Sequence, residues 1–463
     1  MRNRRGVVDY RCSMIEGSRV VGEGPESVVR LGVLGCGNVG GALVELVDHD
    51  ADGIARRSGT RLAVTRVAVR NLAKARPVHA DPDRFTHDAH SVATDSEVDV
   101  VVELIGGLEP ARTIILEALK AGKPVVTANK ELIANFGAEL FAVAESTGSE
   151  LLFEGSVGGA IPLLRALHVS LAAERIRRIV GIVNGTTNFI LSRMSQANAS
   201  YAEALEEAQS LGYAERDPSA DVEGFDASAK AAILAGIAFN ADVVSGDVYR
   251  EGIDALDSSD VAFAHRLGYE VKLLAIVENL DEGNGAEPLL DVRVHPTMIP
   301  VDHPLASVHG PFNAVYVEGD AIGEIMLYGR GAGGMPTASA VLGDVLEAAR
   351  SLSGSRPVHM PRRHRSRLRP IDELRSQYYL TLDVVDRPGV LSAVTRVFGD
   401  HDVSIQSMEQ VGAEPDARLV FVTHLALEAD VQSTLAELKG LGPVKRIGAL
   451  LRVVGPERER GST

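Results

Sequence analysis

Apolar and polar positions are grouped in blocks along the first third of the chain, and their spacing switches between strand and helix periods. Val28–Leu34 is a β-branched apolar run, which predicts a buried strand, and residues 41–48 after it predict a helix. The same pattern continues with strands at about 61–70, 98–105, 123–127 and 150–153, and with helices at 109–121 and 131–146. Strands that alternate with helices indicate a parallel sheet in an α/β fold.

The last part of the chain shows a different order of blocks. Its predicted elements are a strand at 378–385, a helix at 391–401, strands at 403–408 and 418–426, a helix at 428–441 and a strand at 444–451. This βαββαβ order predicts a separate ferredoxin-like unit. The stretch 353–375 before it is rich in arginine and proline, and we interpret it as a solvated linker that few contacts cross.

Composition excludes several classes of protein. The chain has 463 residues, enough for two or three domains, and no apolar run near the ~18 residues needed to span a bilayer. A net charge of −16 argues against nucleic acid or an anionic membrane as the main partner. Two cysteines cannot form a disulfide framework, which favours a reducing, cytoplasmic location. Residues 1–27 lack the apolar core of a signal peptide, so we expect a disordered extension, within which Met14 is an alternative start.

A glycine-rich turn joins the first predicted strand to the first predicted helix. Between a strand and a helix, Gly-x-Gly-x-x-Gly lets the backbone approach a pyrophosphate at the helix N-terminus. Its residues are Gly35, Cys36, Gly37, Asn38, Val39 and Gly40. The sequence therefore predicts a Rossmann-type domain that binds a dinucleotide.

The end of the second predicted strand bears on the choice of cofactor. It carries Arg70, where an acidic residue would accept bonds from a ribose 2′-hydroxyl; arginine suits a 2′-phosphate instead. Arg70 thus favours NADP, with NAD also possible. A solvated arginine at a strand end is the alternative, and Arg76 is a rival for the phosphate.

Residues 208–230 combine carboxylates with a lysine. The carboxylates are Glu215, Asp217, Asp221, Glu223 and Asp226, and the lysine is Lys230. Helix-forming sequence begins near Phe225, which puts Asp226 and Lys230 one turn apart on one helix face. A lysine held against a carboxylate can act as a positioned proton donor. Taken alone, such a pair is ordinarily a surface ion pair.

The whole stretch reads A-x3-G-Y-A-x2-D-P-x2-D-V-x-G-x-D-x3-K and resembles the signature of homoserine dehydrogenases at every specified position. The resemblance extends over about 28–455. It implies reversible, NAD(P)H-dependent reduction of L-aspartate 4-semialdehyde to L-homoserine, a step toward threonine, methionine and isoleucine. It also implies a monofunctional form, because 27 preceding residues cannot hold an aspartate kinase. A nucleotide- and amino-acid-sensing module without catalysis is the competing class.

The resemblance assigns roles to individual residues. Lys230 is expected to donate the proton, Asp226 to orient the substrate and Lys230, and Lys130 to lie near both nicotinamide and substrate. Glu215 is expected to pair with the substrate amino group, and Asp221 to bind substrate. The cofactor is expected to contact Gly35, Gly37, Asn38, Val39, Gly40, Arg70, Lys130, Gly212 and Gly333.

Three further segments carry expectations from the family. The loop 154–162 resembles a site for a monovalent, sodium-like cation, held by Glu154 and the carbonyls of Val157, Gly159 and Ile161; a purely structural turn is equally compatible. The N-G-T-x-N cluster at 184–188 is placed near the substrate. A second glycine-rich loop, 329–337, is expected to return to the cofactor and to precede a helix at 338–352.

The C-terminal unit resembles an ACT domain, and D-R-P-G-V-L at 386–391 matches the strand-to-helix turn of that family. Asp386 and Gly389 are the expected contacts of a regulatory ligand, threonine, although a domain used only for oligomerisation is the alternative. The expected domains are 28–150 completed by 326–352 for the cofactor, an α+β catalytic and dimerisation domain at 151–325, the linker, and 376–455. We expect a homodimer or homotetramer.

A substitution tests the cofactor prediction. Arg70→Asp should shift the preference from NADP toward NAD, because the carboxylate repels a 2′-phosphate and accepts a bond from a 2′-hydroxyl. The measurement is kcat/KM with each cofactor. An unchanged ratio would assign the phosphate to another group, Arg76 first.

Overall fold

The computed structural model describes residues 28–73, 81–281, 288–352, 366–412 and 415–454. The predictions for 1–27, for Arg76 and for most of the linker lie outside these residues.

The N-terminal part forms a six-stranded parallel sheet of order β3-β2-β1-β4-β5-β6. This is the doubly wound order of a dinucleotide-binding fold and confirms the predicted class. Its elements are β1 (Val28–Leu34), α1 (Asn38–His49), α2 (Ala51–Ser58), β2 (Arg61–Ala68), β3 (Phe85–Thr86), α3 (Ala89–Thr94), β4 (Val100–Glu103), α4 (Ala111–Lys120), β5 (Val125–Thr127), α5 (Lys130–Thr147) and β6 (Leu151–Leu152).

The middle of the chain builds a second, largely antiparallel sheet covered by helices. Its strands follow the order β12-β11-β7-β9-β10. The elements are α6 (Leu163–Arg165), β7 (Ile176–Ile182), α7 (Gly185–Ala197), α8 (Tyr201–Ser210), α9 (Ser219–Val222), α10 (Phe225–Phe239), β8 (Tyr249–Arg250), α11 (Ser258–Arg266), β9 (Tyr269–Asn279), β10 (Leu289–Pro300), β11 (Phe312–Gly319), β12 (Gly323–Arg330) and α12 (Gly334–Leu352).

Helix α12 returns to the first sheet. Its apolar residues Ala338, Val341 and Val345 share one buried core with Leu43 and Val44 of α1. The second glycine-rich loop is shorter than predicted, because β12 extends to Arg330 and the helix already begins at Gly334. Of the segment 326–352 that was expected to complete the cofactor domain, only α12 therefore returns to the first sheet.

The C-terminal part forms a ferredoxin-like unit. Its four long strands follow the order β18-β14-β16-β15, with two helices packed on one face around a core that includes Leu380, Val394 and Phe421. The elements are β13 (Arg367–Leu368), β14 (Arg375–Val385), α13 (Val390–Asp400), β15 (Ile405–Val411), β16 (Asp416–Thr423), β17 (Ala426–Leu427), α14 (Glu428–Gly440) and β18 (Val444–Val453). The predicted βαββαβ order is confirmed.

The interpretation of 353–375 as a solvated linker is wrong for its described part. Strand β13 pairs with β10, and Arg369 forms an ion pair with the buried carboxylate of Asp291. Strand β18 also pairs with β10, which joins the second sheet to the C-terminal one. Backbone groups that pair across the boundary cannot be left solvated, so many contacts cross it, contrary to expectation.

Among the described helices, none combines the length and the apolar character that a bilayer crossing demands.

Candidate functional site

Asp226 and Lys230 lie in the first two turns of α10, and both side chains are buried, at 6% and 10% exposure. Lys230 Nζ lies 2.7 Å from Asp226 Oδ2 and donates a second bond of 2.7 Å to the carbonyl of Val183. Because both side chains are buried, the pair is not a surface ion pair of the kind that contributes little to stability.

A second lysine reaches the same carboxylate from the first sheet. Lys130 begins α5 just after β5, at the edge where open α/β sheets bind ligands. Its Nζ lies 2.8 Å from Asp226 Oδ1, so each carboxylate oxygen faces a different lysine. The Lys130 side chain is 37% exposed, and the pair therefore opens toward solvent on the Lys130 side.

The two lysines determine the charge state of the site. Burial alone would raise the pKa of Asp226, but the charges of Lys230 and Lys130 override it and hold that pKa well below its usual range. In return, the charge of Asp226 raises the pKa of Lys130 against the opposing effect of burial. Asp226 is thus an anion that two cations hold in place.

Asn184 ties a second carboxylate to this pair. Its Nδ2 donates to Asp221 Oδ1 at 2.6 Å and to Asp226 Oδ2 at 2.8 Å. Its Oδ1 accepts from Thr187 N, so Asn184 caps α7. α7 accordingly begins at Gly185. Burial raises the pKa of Asp221, and the hydrogen bond from Asn184 opposes that rise.

Asn313 is a site residue that sequence reasoning missed. It is 1% exposed in β11, and its Nδ2 donates to the Val183 carbonyl at 2.9 Å, the same oxygen that Lys230 contacts. A side chain on Gly331 would collide with Asn313, so the second glycine-rich loop packs directly on it. Its sequence signal is weak: one amide among the apolar residues of a strand.

Glu103 is the other missed residue. It is fully buried at the end of β4, where Oε1 accepts from Ile105 N at 2.7 Å and Oε2 from the Thr127 hydroxyl at 2.6 Å. That hydroxyl accepts from Asn129 N, and Asn129 caps the helix that Lys130 begins. Glu103 therefore fixes the turn that presents Lys130.

The first glycine-rich turn has the shape of a phosphate cradle. A Cβ on Gly35 would lie 2.5 Å from the Leu104 carbonyl, whereas one on Gly37 would meet no atom within 4 Å. The first glycine serves close packing, and the second leaves the space through which a ligand can reach the N-terminus of α1. A Cβ on Gly334 would lie 2.8 Å from Asn38 O, so the loop of Gly333 touches this turn.

The remaining predicted residues lie outside the lysine–carboxylate cluster formed by Lys130, Asp226 and Lys230. Glu215 is exposed in the turn after α8, and only its main-chain carbonyl is bonded, by Gln209 Nε2 at 3.0 Å, among the described residues. Gly212 lies in the same turn with a φ of +75°. Both carboxylate oxygens of Glu154 accept main-chain N–H groups of α6, at 2.9 and 2.7 Å.

The expected regulatory residues line a cavity of about 300 Å³ in the C-terminal unit. Gly389 precedes α13 with a φ of +90°, and Asp386 accepts a bond of 3.2 Å from Gln410 Nε2.

Among the described residues, no three His, Cys, Asp or Glu side chains are grouped as a metal site would require.

Family models and relatives agree with this arrangement. The homoserine dehydrogenase model matches residues 162–346, the NAD-binding domain of homoserine dehydrogenase matches 35–154, and the ACT domain matches 378–443. A homoserine dehydrogenase of Corynebacterium glutamicum is 46% identical over 433 residues, which cover 93% of this chain and 97% of the relative. The chain belongs to the homoserine dehydrogenase family.

Solved structures of the family share the fold. A homoserine dehydrogenase from Thiobacillus denitrificans, 41% identical, superposes with a TM-score of 0.86 over 92% of this chain and 98% of the other. A hyperthermophilic archaeal homoserine dehydrogenase in complex with NADPH, 29% identical, has a TM-score of 0.57 over 70% of this chain and 98% of the other. The enzyme is an oxidoreductase that acts on a CH–OH group with NAD(P).

Removal of the buried lysine tests the cluster. Lys230→Ala should lower turnover by ~10²–10⁴-fold, the usual effect of losing a positioned acid. Lys230→Met, which keeps the apolar stem, should show the same loss while NADPH still binds by fluorescence titration. Near-normal turnover in a folded variant that binds cofactor would exclude Lys230 as the proton donor.

Proposed function

We propose that the enzyme reduces L-aspartate 4-semialdehyde to L-homoserine, and catalyses the reverse, through the cluster of Lys130, Asp226 and Lys230. The observation that carries the proposal is the buried Asp226 carboxylate held between two lysines, 2.8 and 2.7 Å away. The product is a precursor of threonine, methionine and isoleucine.

Lys230 is the proposed proton donor. The bond to the Val183 carbonyl and the ion pair with Asp226 hold its ammonium in one orientation, leaving a third N–H for the aldehyde oxygen. When bound, the reduced nicotinamide supplies the hydride that reaches the aldehyde carbon, and Lys230 delivers a proton to the oxygen. Lys130, the more exposed lysine, stabilises the developing negative charge on that oxygen.

The carboxylates have different proposed tasks. Both oxygens of Asp226 are occupied by lysines and Asn184, so it positions the lysines and orients substrate through them. Asp221 retains acceptor capacity beyond its bond from Asn184 and is suited to the substrate amino group. Glu215, exposed in the turn after α8, is the second candidate for binding the substrate amino group.

We propose NADP as the preferred cofactor, with NAD as the alternative. Its pyrophosphate is assigned to Gly35, Gly37, Asn38, Val39 and Gly40 at the start of α1, and the 2′-phosphate to Arg70. Arg70 is exposed just past β2, as a residue that meets a ligand at the sheet edge must be. Gly212 and Gly333 are proposed as further contacts.

The monovalent cation remains a proposal that depends on carbonyl groups. Because Glu154 uses both carboxylate oxygens on main-chain N–H groups, an ion would draw mainly on the carbonyls of Val157, Gly159 and Ile161. Carbonyl oxygens suit a hard cation such as sodium.

The reaction is tested by NADPH consumption. Purified enzyme with L-aspartate 4-semialdehyde should oxidise NADPH, and with L-homoserine it should reduce NADP. Asp226→Asn should abolish both directions while retaining NADPH binding, because the lysines lose the charge that holds them. Cofactor and amino-acid binding without turnover would instead identify a sensing module.

We also propose threonine as a feedback inhibitor at the cavity of Asp386 and Gly389, in a cytoplasmic homodimer or homotetramer. Threonine should lower the rate, and Asp386→Ala should weaken its inhibition several-fold to a hundredfold, the range of ~1–3 kcal/mol of coupling. Asp400→Ala, at the other end of α13, is the matched control. Equal threonine sensitivity in both variants would leave the C-terminal unit a purely oligomeric role.

A further inference from the structure

Arg452 is a buried link between the C-terminal unit and the catalytic part of the chain. It is 1% exposed in β18, and its guanidinium bonds to two carboxylates. Glu428 of the C-terminal unit accepts from Nε and Nη2 at 2.8 and 2.7 Å. Glu251, from the segment after β8, accepts from Nη1 and Nη2 at 2.8 and 3.0 Å. The Tyr249 hydroxyl donates to Glu251 and accepts from Arg452 Nη2.

The segment of Glu251 forms the wall behind the turn that carries the site carboxylates. Ile253 N donates to the Val222 carbonyl at 2.8 Å, one residue after Asp221. A side chain on Gly252 would collide with the same carbonyl, so the two backbones are in direct contact. The Arg250 guanidinium lies 3.6 Å from the ring centroid of Phe225, the residue before Asp226. The turn is therefore held from both ends.

The geometry points to Glu251 and Arg452 as positioning residues for catalysis: the C-terminal unit holds the 221–226 turn in place through this ion pair. The inference rests on the proposed roles of Asp221 and Asp226. Neither Glu251 nor Arg452 is among the groups that bond to the lysine–carboxylate cluster, so their effect passes through the backbone of 249–253. The family's motif in 208–230 includes neither residue.

The energetics favour a rigid link over an incidental contact. A guanidinium removed from water is stable only while good geometry satisfies its charge, and here two carboxylates form paired bonds with it. The main chain of Arg452 is fixed as well, because it pairs with Thr297 of β10. A shift of the C-terminal unit therefore displaces Glu251, and a displacement of about 1 Å at reacting groups can cost roughly 10²-fold in rate.

The test compares Glu251→Gln, Arg452→Met and the double variant. Each single variant should lower kcat/KM for L-homoserine by roughly 10–100-fold, while NADPH affinity stays within about two-fold, because the cofactor turn is elsewhere. The double variant should be no less active than the less active of the two single variants, because either substitution alone already removes the bonds between Arg452 and Glu251. Arg452→Lys, which keeps the charge, should recover part of the activity.

Arg266→Gln is the matched control. Arg266 of α11 and Glu409 of β15 form another ion pair across the same boundary, 2.5 Å long, but both side chains are exposed and neither belongs to 249–253. This variant should keep its kcat/KM. If Glu251→Gln and Arg452→Met lower the melting temperature but change kcat/KM no more than Arg266→Gln, the link is only structural and the inference fails. Parallel loss of NADPH binding, or additive effects in the double variant, would also overturn it.

Asp226→Asn separates this inference from the proposed function. Full activity of Asp226→Asn would refute the catalytic assignment itself. An inactive Asp226→Asn beside fully active Glu251→Gln and Arg452→Met would preserve the assignment and refute the positioning role.

Discussion

The carboxylate of Asp226 is the interaction on which the site depends. Lys130 reaches it from the end of a parallel strand in the first sheet, and Lys230 from the same helix, one turn away. A buried carboxylate without partners would be protonated, and the two ammonium groups without it would repel each other. The triad thus joins α5, which follows the first sheet, to α10 in the middle of the chain.

Further polar groups complete this triad. The Val183 carbonyl and the Asn184 amide receive or donate the remaining hydrogen bonds, and Glu103 holds the turn before Lys130. With these groups satisfied, the remaining lysine N–H donors are the ones that we propose contact the substrate. Orientation is therefore set before a substrate arrives, and less reorganisation accompanies the reaction.

Strand β10 is the structural centre of the second half. It pairs with β9, with β13 and with β18, so the catalytic sheet and the ferredoxin-like sheet share a strand edge. Three arginines lie along this junction: Arg293, Arg369 and Arg452. Arg293 and Arg369 pair with Asp291, and Arg452 pairs with Glu251 and Glu428. The composition of 353–375 indicated solvation, because arginine and proline are typical of linkers. Instead, strand β10 and its buried Asp291 give residues 367–369 an ordered path.

The sequence alone determined the parallel sheet, the ferredoxin-like unit and the Asp226–Lys230 pair, because each depends on residues close together in the chain: strand and helix periods, a glycine turn, one helical turn. It also placed Lys130 at the sheet edge. Only the tertiary structure decided that Lys130 and Lys230 share Asp226, that Asn313 and Glu103 support them, and that Glu215 stands apart. The contacts of Lys130 with Asp226, of Glu103 with Thr127 and of Asn313 with Val183 join residues 24 to 130 positions apart. No local pattern records which distant polar groups will meet once the core is packed.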